Sequence, residues 1–219
     1  MAKPETLLIA GFHDEAVPHT FFRQEQPTCH LAILYPGLGY NASMPLLYYP
    51  AQLLMARGAD VLRVETTYSR RPDFLALSEA GQELWLKADA LAACQVGLAQ
   101  ARYERVTLVG KSIGTLAMGY VLAAWPDLPG LECIWLTPLL RNRTLRERFH
   151  QVRQRALLII GAADSHYRPE LLTEALAATG GESLVIPGAD HSLELRGDLP
   201  GSLRELQKII AAIDSFLER

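Results

Sequence analysis

Short apolar runs recur along the chain, separated by longer segments in which apolar residues return every three or four positions. The runs LAILY (31–35), DVLRVET (60–66), VTLVG (106–110), LECIWLT (131–137), ALLIIG (156–161) and ESLVIPG (182–188) read as β-strands. They lack the apolar–polar alternation of a half-exposed strand, which predicts strands covered on both faces. Between residues 78 and 102, Leu84, Ala88, Leu91 and Leu98 have helical spacing. The segment PELLTEALAATGG begins with Pro169 and ends on Gly180 and Gly181, a proline-first, glycine-last order that marks helix boundaries. In the last segment, Ser202 and Glu205 form a capping-box pattern beside an apolar face of Leu203, Leu206, Ile209, Ile213 and Phe216. Pro50 suits the first position of the first helix.

Strand-like runs alternating with helical segments predict an α/β protein with a mostly parallel central sheet flanked by helices. TLLIAGF (6–12) and VPHTFFRQ (17–24) lie close enough in sequence to form an antiparallel hairpin at one edge. No repeat, low-complexity tract or linker divides the chain, so residues 1–219 are expected to form a single domain.

Composition narrows the classes of function. A chain of 219 residues can bury a sizeable core, and 49% hydrophobic with 21% charged residues is ordinary for a globular protein. The net charge of -3 argues against nucleic acid or an anionic membrane as the main partner. No apolar run approaches the ~18 residues needed to span a bilayer. MAKPETLLIAGFHDE lacks the apolar region and cleavage site of a secretory signal, so a cytoplasmic location is expected. Cys29, Cys94 and Cys133 are odd in number and far apart; they suggest no disulfide or zinc site and are expected to be buried filler.

The candidate chemistry lies in VTLVGKSIGTLAMGYV (106–121), which starts as a strand, turns within GKSIG and continues as a helix. Ser112 is expected at positive φ, and Gly110 and Gly114 relieve the crowding around so tight a turn. The alternative is a glycine-rich turn with a helix-capping serine. The strand–GxSxG–helix pattern resembles the nucleophile elbow of the α/β-hydrolase superfamily, and the resemblance spans nearly the whole chain. It implies the α/β-hydrolase fold and a serine nucleophile activated by histidine and an acid, in the order Ser, Asp or Glu, His. Asp164 in AADSHY and His191 in ADHSLE follow strands in that order and match those positions. Asp190 adjoins His191 too closely in sequence to be the acid. His166, two residues past Asp164, is the nearest rival histidine.

The same resemblance assigns the oxyanion-binding N–H groups to Ile113 and to Leu38, in the loop YPGLGYNASMPLLYY. Pro36 and Gly37 stand where many relatives have His-Gly. Gly37, Tyr40, Met44 and Lys111 are candidate substrate-binding residues. Lys111 could instead pack its stem on the sheet and send its ammonium to water. RNRTLRERFHQVRQR is a basic stretch where relatives insert lids, and it reads as a solvated helix face. So few residues between Thr137 and Ala156 leave little or no cap, as in dienelactone hydrolases and small carboxylesterases, and imply an open, shallow site for short acyl groups.

These features predict a serine hydrolase acting on a small-molecule ester or thioester, with no cofactor and no metal. Acyl transfer by the same residues and a non-catalytic binding protein are the alternatives, and a homodimer is left open.

Overall fold

The computed structural model describes residues 2–150 and 155–218. Its eight strands are β1 (Lys3–Glu5), β2 (His19–Arg23), β3 (His30–Tyr35), β4 (Asp60–Val64), β5 (Arg105–Lys111), β6 (Glu132–Leu136), β7 (Arg155–Gly161) and β8 (Glu182–Ile186). They form one sheet in the order β1-β2-β4-β3-β5-β6-β7-β8. The pairings β1·β2 and β2·β4 are antiparallel, and every pairing from β4 to β8 is parallel. The helices are α1 (Pro45–Ala56), α2 (Pro72–Leu75), α3 (Glu79–Leu98), α4 (Ile113–Ala124), α5 (Arg143–Phe149), α6 (Pro169–Thr179) and α7 (Leu199–Leu217).

Both faces of the sheet are covered, which is why its central strands are apolar without interruption. Alternate residues of β3 divide between the two sides: Leu31, Ile33 and Tyr35 join a core with α3, α4, α5 and α6, whereas Ala32 and Leu34 join one with α1 and α7. The strands β3 and β5 to β8 are parallel, so the loops that leave their C-terminal ends gather along one edge. Among the described residues, no helix is long and apolar enough to cross a membrane.

Several local expectations shift. The edge partner of β2 is Lys3–Glu5 and not residues 6–12, which make only an isolated bridge between Ala10 and Ala16. The His19 side chain accepts the Leu7 N–H at 2.9 Å, drawing the chain away from strand pairing and leaving Leu8 96% exposed. Helix α1 starts at Pro45, where a missing N–H costs nothing, and Pro50 lies inside it with its ring buried.

On α3 the buried stripe is Trp85, Leu86, Asp89, Ala90, Ala93, Cys94 and Gly97, while Leu84 is 60% exposed. The segment has apolar residues around most of its circumference, and contact with α4 and the sheet selects one stripe. Asp198, not Ser202, caps α7: its carboxylate accepts the Gly201 N–H at 2.8 Å. Ser202 sits one turn inside, where its hydroxyl accepts the Leu195 N–H, and Leu203 faces outward. Cys29 is exposed, whereas Cys94 and Cys133 are buried. Helix α6 does end on Gly180 in the left-handed conformation.

Among the described residues of the interval between β6 and β7, α5 is the one helix, and it packs onto the body of the protein instead of forming a cap. It buries Leu145 and Phe149, with Phe149 edge-on to Trp135 at 5.0 Å, and packs against α4 and α6. Arg143 bonds Glu147, and Arg146 bonds the Leu140 carbonyl. Residues 151–154 of the basic stretch lie outside the described residues.

Candidate active site

The turn between β5 and α4 holds Ser112 at φ 55 and ψ -118, outside the wells that L-residues favour. The turn is closed by the Ser112 N–H donating to the Leu136 carbonyl and by Thr115, whose hydroxyl donates to the Ser112 carbonyl at 2.6 Å. Its glycines are required by approach distance. A Cβ on Gly110 would lie 2.5 Å from the Gly114 carbonyl oxygen, and one on Gly114 would overlap the Tyr35 carbonyl oxygen. Helix α4 therefore seats directly against β3 and β5, and the Ser112 side chain is left standing at the corner.

The loop after β7 carries Asp164 and the loop after β8 carries His191. These loops are stitched together by the Ala163 N–H to the Ala189 carbonyl at 2.9 Å. Gly161 permits the approach, since a Cβ there would overlap the Ala189 carbonyl oxygen. His191 Nδ1 is 2.7 Å from Asp164 Oδ2, and His191 Nε2 is 2.8 Å from Ser112 Oγ. The three side chains form one hydrogen-bonded line from a buried carboxylate to a partly exposed hydroxyl.

Asp164 has no exposed side-chain surface, and the imidazole is 38% exposed. Burial pushes the Asp164 carboxyl up, but the bond from His191, the His166 N–H on Oδ1 and the nearby imidazoles outweigh it and hold the group below its usual value. Asp190 folds its own loop: its Oδ1 accepts the Ser192 and Glu194 N–H groups.

Gly37 lies beside the serine, where a Cβ would come 3.5 Å from Ser112 Cβ, and its N–H closes a tight turn onto the Tyr40 carbonyl. The Leu38 carbonyl accepts the Ser69 N–H, which fixes the loop from the β4 side. Among the described residues, the Leu38 and Ile113 N–H groups have no protein acceptor. Met44 precedes α1 and is partly exposed. Leu46 and Leu47 lie in the first turn of α1 and are core residues. Tyr49 lines an apolar groove of about 500 Å³ between α1 and α7 that none of Ser112, His191 and Asp164 borders.

Two expected substrate contacts turn inward. Lys111 is 2% exposed, so its ammonium does not reach water; it donates to Thr137 Oγ1 and to the His191 carbonyl, each at 2.9 Å. Tyr40 lays its ring 5.0 Å from that ammonium and accepts the Leu46 N–H on its hydroxyl. Burial, partly offset by the Leu46 bond and reinforced by Glu194, pushes the phenol up to about 12. Thr137, at φ 45, is a participant with no signal of its own in the sequence, being 26 residues from the lysine it meets. The His166 ring lies near that of His191, with centroids 5.6 Å apart, and its buried Nδ1 has no hydrogen-bond partner among the described residues. Among the described residues, no cluster of three or more His, Cys, Asp or Glu side chains could hold a metal ion.

No protein-family model and no curated protein sequence matches the chain. Solved structures do. Est1E from Butyrivibrio proteoclasticus, with ferulic acid bound, is 13% identical with a TM-score of 0.71, over 96% of this chain and 98% of its own. A dienelactone hydrolase from Anabaena variabilis is 16% identical with a TM-score of 0.70, over 99% and 97%. The Pyrococcus furiosus esterase Pf2001 is 12% identical with a TM-score of 0.68, over 100% and 92%. What is shared at such identities is architecture, and on that ground, together with the strand order, the chain has the α/β-hydrolase fold.

Proposed function

We propose that the protein is a serine hydrolase that cleaves a carboxylic ester or thioester of a small substrate through an acyl-enzyme on Ser112. The observation that carries this reading is the hydrogen-bonded line Ser112–His191–Asp164, ending on a hydroxyl held at a strained turn. A serine hydroxyl is a weak nucleophile at neutral pH, and an imidazole 2.8 Å away can take its proton as it attacks. Asp164 holds Nδ1–H, which keeps Nε2 free to accept that proton and favours the imidazolium that results.

In this scheme Ser112 Oγ bonds to the acyl carbon while its proton passes to His191. The tetrahedral oxyanion is met by the unpaired N–H groups of Leu38 and Ile113. Collapse expels the alcohol or thiol, which takes the proton from His191. Water then attacks the acyl-enzyme, gives a proton to His191 and releases the acid, and the proton returns to Ser112. Dienelactone hydrolase and esterase activities in proteins of this fold are consistent with such chemistry. With α5 packed on the flank and Gly37 beside the serine, the site is expected to be open and to favour short acyl groups.

The test is a panel of acyl esters and thioesters, with a serine-directed fluorophosphonate, applied to wild type and Ser112→Ala in parallel. Wild-type turnover and labelling that vanish in the variant support the reading. Equal rates in both would refute it, and a well-folded wild type that neither labels nor turns over would favour a binding role. Product analysis with added alcohol or amine separates hydrolysis from acyl transfer.

A further inference from the structure

Lys111 is a charged side chain, wholly inside the protein, for which the scheme above has no use. It belongs to the sheet face shared with α1 and α7, as Val109 does two residues earlier. A methionine or leucine would fill the same space at no electrostatic cost, and lysine is rarely enclosed without a specific partner. Its ammonium has three donor hydrogens. Two are spent on Thr137 Oγ1 and the His191 carbonyl, and the Tyr40 ring lies 5.0 Å away. Three loops thus converge on one cation: the end of β6 through Thr137, the β8–α7 loop through His191, and the β3–α1 loop through Tyr40. Thr137 reaches its place at positive φ, a conformation that a β-branched residue seldom adopts. Apart from Lys111, no side chain among the described residues donates to the His191 carbonyl.

We propose that Lys111 is a positioning residue, whose ammonium braces the His191 loop through the His191 carbonyl and so sets the imidazole against Ser112 Oγ and Asp164. The inference rests on the reading of His191 as the general base. A charged donor holds a carbonyl about twice as strongly as a neutral one, so the brace depends on protonation. Burial lowers the lysine to about 8, with Asp164 and Asp190 pulling in the other direction. The groups facing the ammonium are Asp164 after β7, Asp190 and His191 after β8, and Tyr40 after β3. The brace is complete below about pH 8 and weakens as pH rises through that value.

The experiment follows the His191 Nδ1–H resonance in histidine-labelled protein, beside fluorophosphonate labelling rates, from about pH 7 to 9.5. In wild type the resonance is expected to broaden and the rate to fall through about pH 8. Lys111→Met should show a broadened resonance throughout, labelling slower by about tenfold at pH 7, and no alkaline fall near 8. A merely structural lysine would not remove that pH step. A sharp Nδ1–H signal and wild-type labelling with the same pH profile in Lys111→Met would overturn the brace while leaving the hydrolase reading intact. A well-folded wild type that neither labels nor turns over acyl esters counts against the hydrolase reading, and the resonance still decides the brace. Should Lys111→Met not fold, the wild-type titration suffices: signal and rate both unchanged across the range would overturn the proposal.

Discussion

Replacing Ser112 with glycine and, separately, with alanine isolates the conformational strain at the corner. Both variants lose the hydroxyl and its bond to His191, so that loss cancels in the comparison. At φ 55 and ψ -118 a residue with a Cβ is outside the favourable wells, at a cost of about 2 kcal/mol, whereas glycine tolerates this region. Glycine gives back about 0.7 kcal/mol through the greater freedom of its unfolded chain. The difference leaves Ser112→Gly about 1 kcal/mol more stable than Ser112→Ala, the reverse of the usual order in a helix or strand. For a chain of 219 residues this amounts to about 3 °C in Tm. Reversible thermal unfolding by calorimetry, supported by urea midpoints, is the assay, and both variants should fail to take up fluorophosphonate. A glycine variant that melts at or below the alanine variant would refute the claim that the corner stores strain.

Asp164→Asn is expected to slow turnover on the order of 10³–10⁴-fold by removing the acceptor of His191 Nδ1–H, whereas Asp190→Asn should leave kcat within a small factor. The opposite order in steady-state kinetics would transfer the acid role to Asp190. Gly161→Ala forces a Cβ against the Ala189 carbonyl and should separate the Asp164 and His191 loops. We expect a loss of about 2–3 kcal/mol in unfolding free energy from urea titration, together with a fall in kcat beyond what unfolding explains; unchanged kinetics would show that the loops do not need this approach. The sign for Lys111 follows from linkage. Its folded value of about 8 lies below 10.5, so the native state sheds its proton first and folding stability rises between those pH values. The charge burial it relieves is on the order of 3 kcal/mol, and Lys111→Met should flatten that rise in urea-unfolding curves measured from about pH 7 to 10.

Much of the fold was legible in the sequence because its determinants are local. The central strands announced themselves as uninterrupted apolar runs, since a sheet covered on both faces has no polar side to record. The elbow was equally readable, since strand, glycine, serine, glycine and helix are contiguous, although the Tyr35 carbonyl for which Gly114 makes room lies on β3. Asp164 and His191 are legible only through the resemblance and chain order, because their bonds to each other and to Ser112 join residues 27 and 79 apart.

The rest depended on neighbours that a linear pattern does not contain. Leu84 and Trp85 are both apolar, and only the packing of α3 against α4 and the sheet made Trp85 the buried one. His19 accepted the Leu7 N–H and moved the edge strand to Lys3–Glu5, a competition between a side chain and a strand partner. Lys111 has a place in the sequence that invites a role in substrate binding, yet the alternation of β5 points it at the far face, beneath Thr137, His191 and Tyr40. Sequence alone determined which central segments are strands and where the serine corner falls, because two-sided burial and the backbone of a tight turn act over a few adjacent residues. Tertiary structure decided which stripe is buried, which side chain caps and what the lysine holds, because the free energy of a buried charge or unpaired amide depends on groups brought near only by folding.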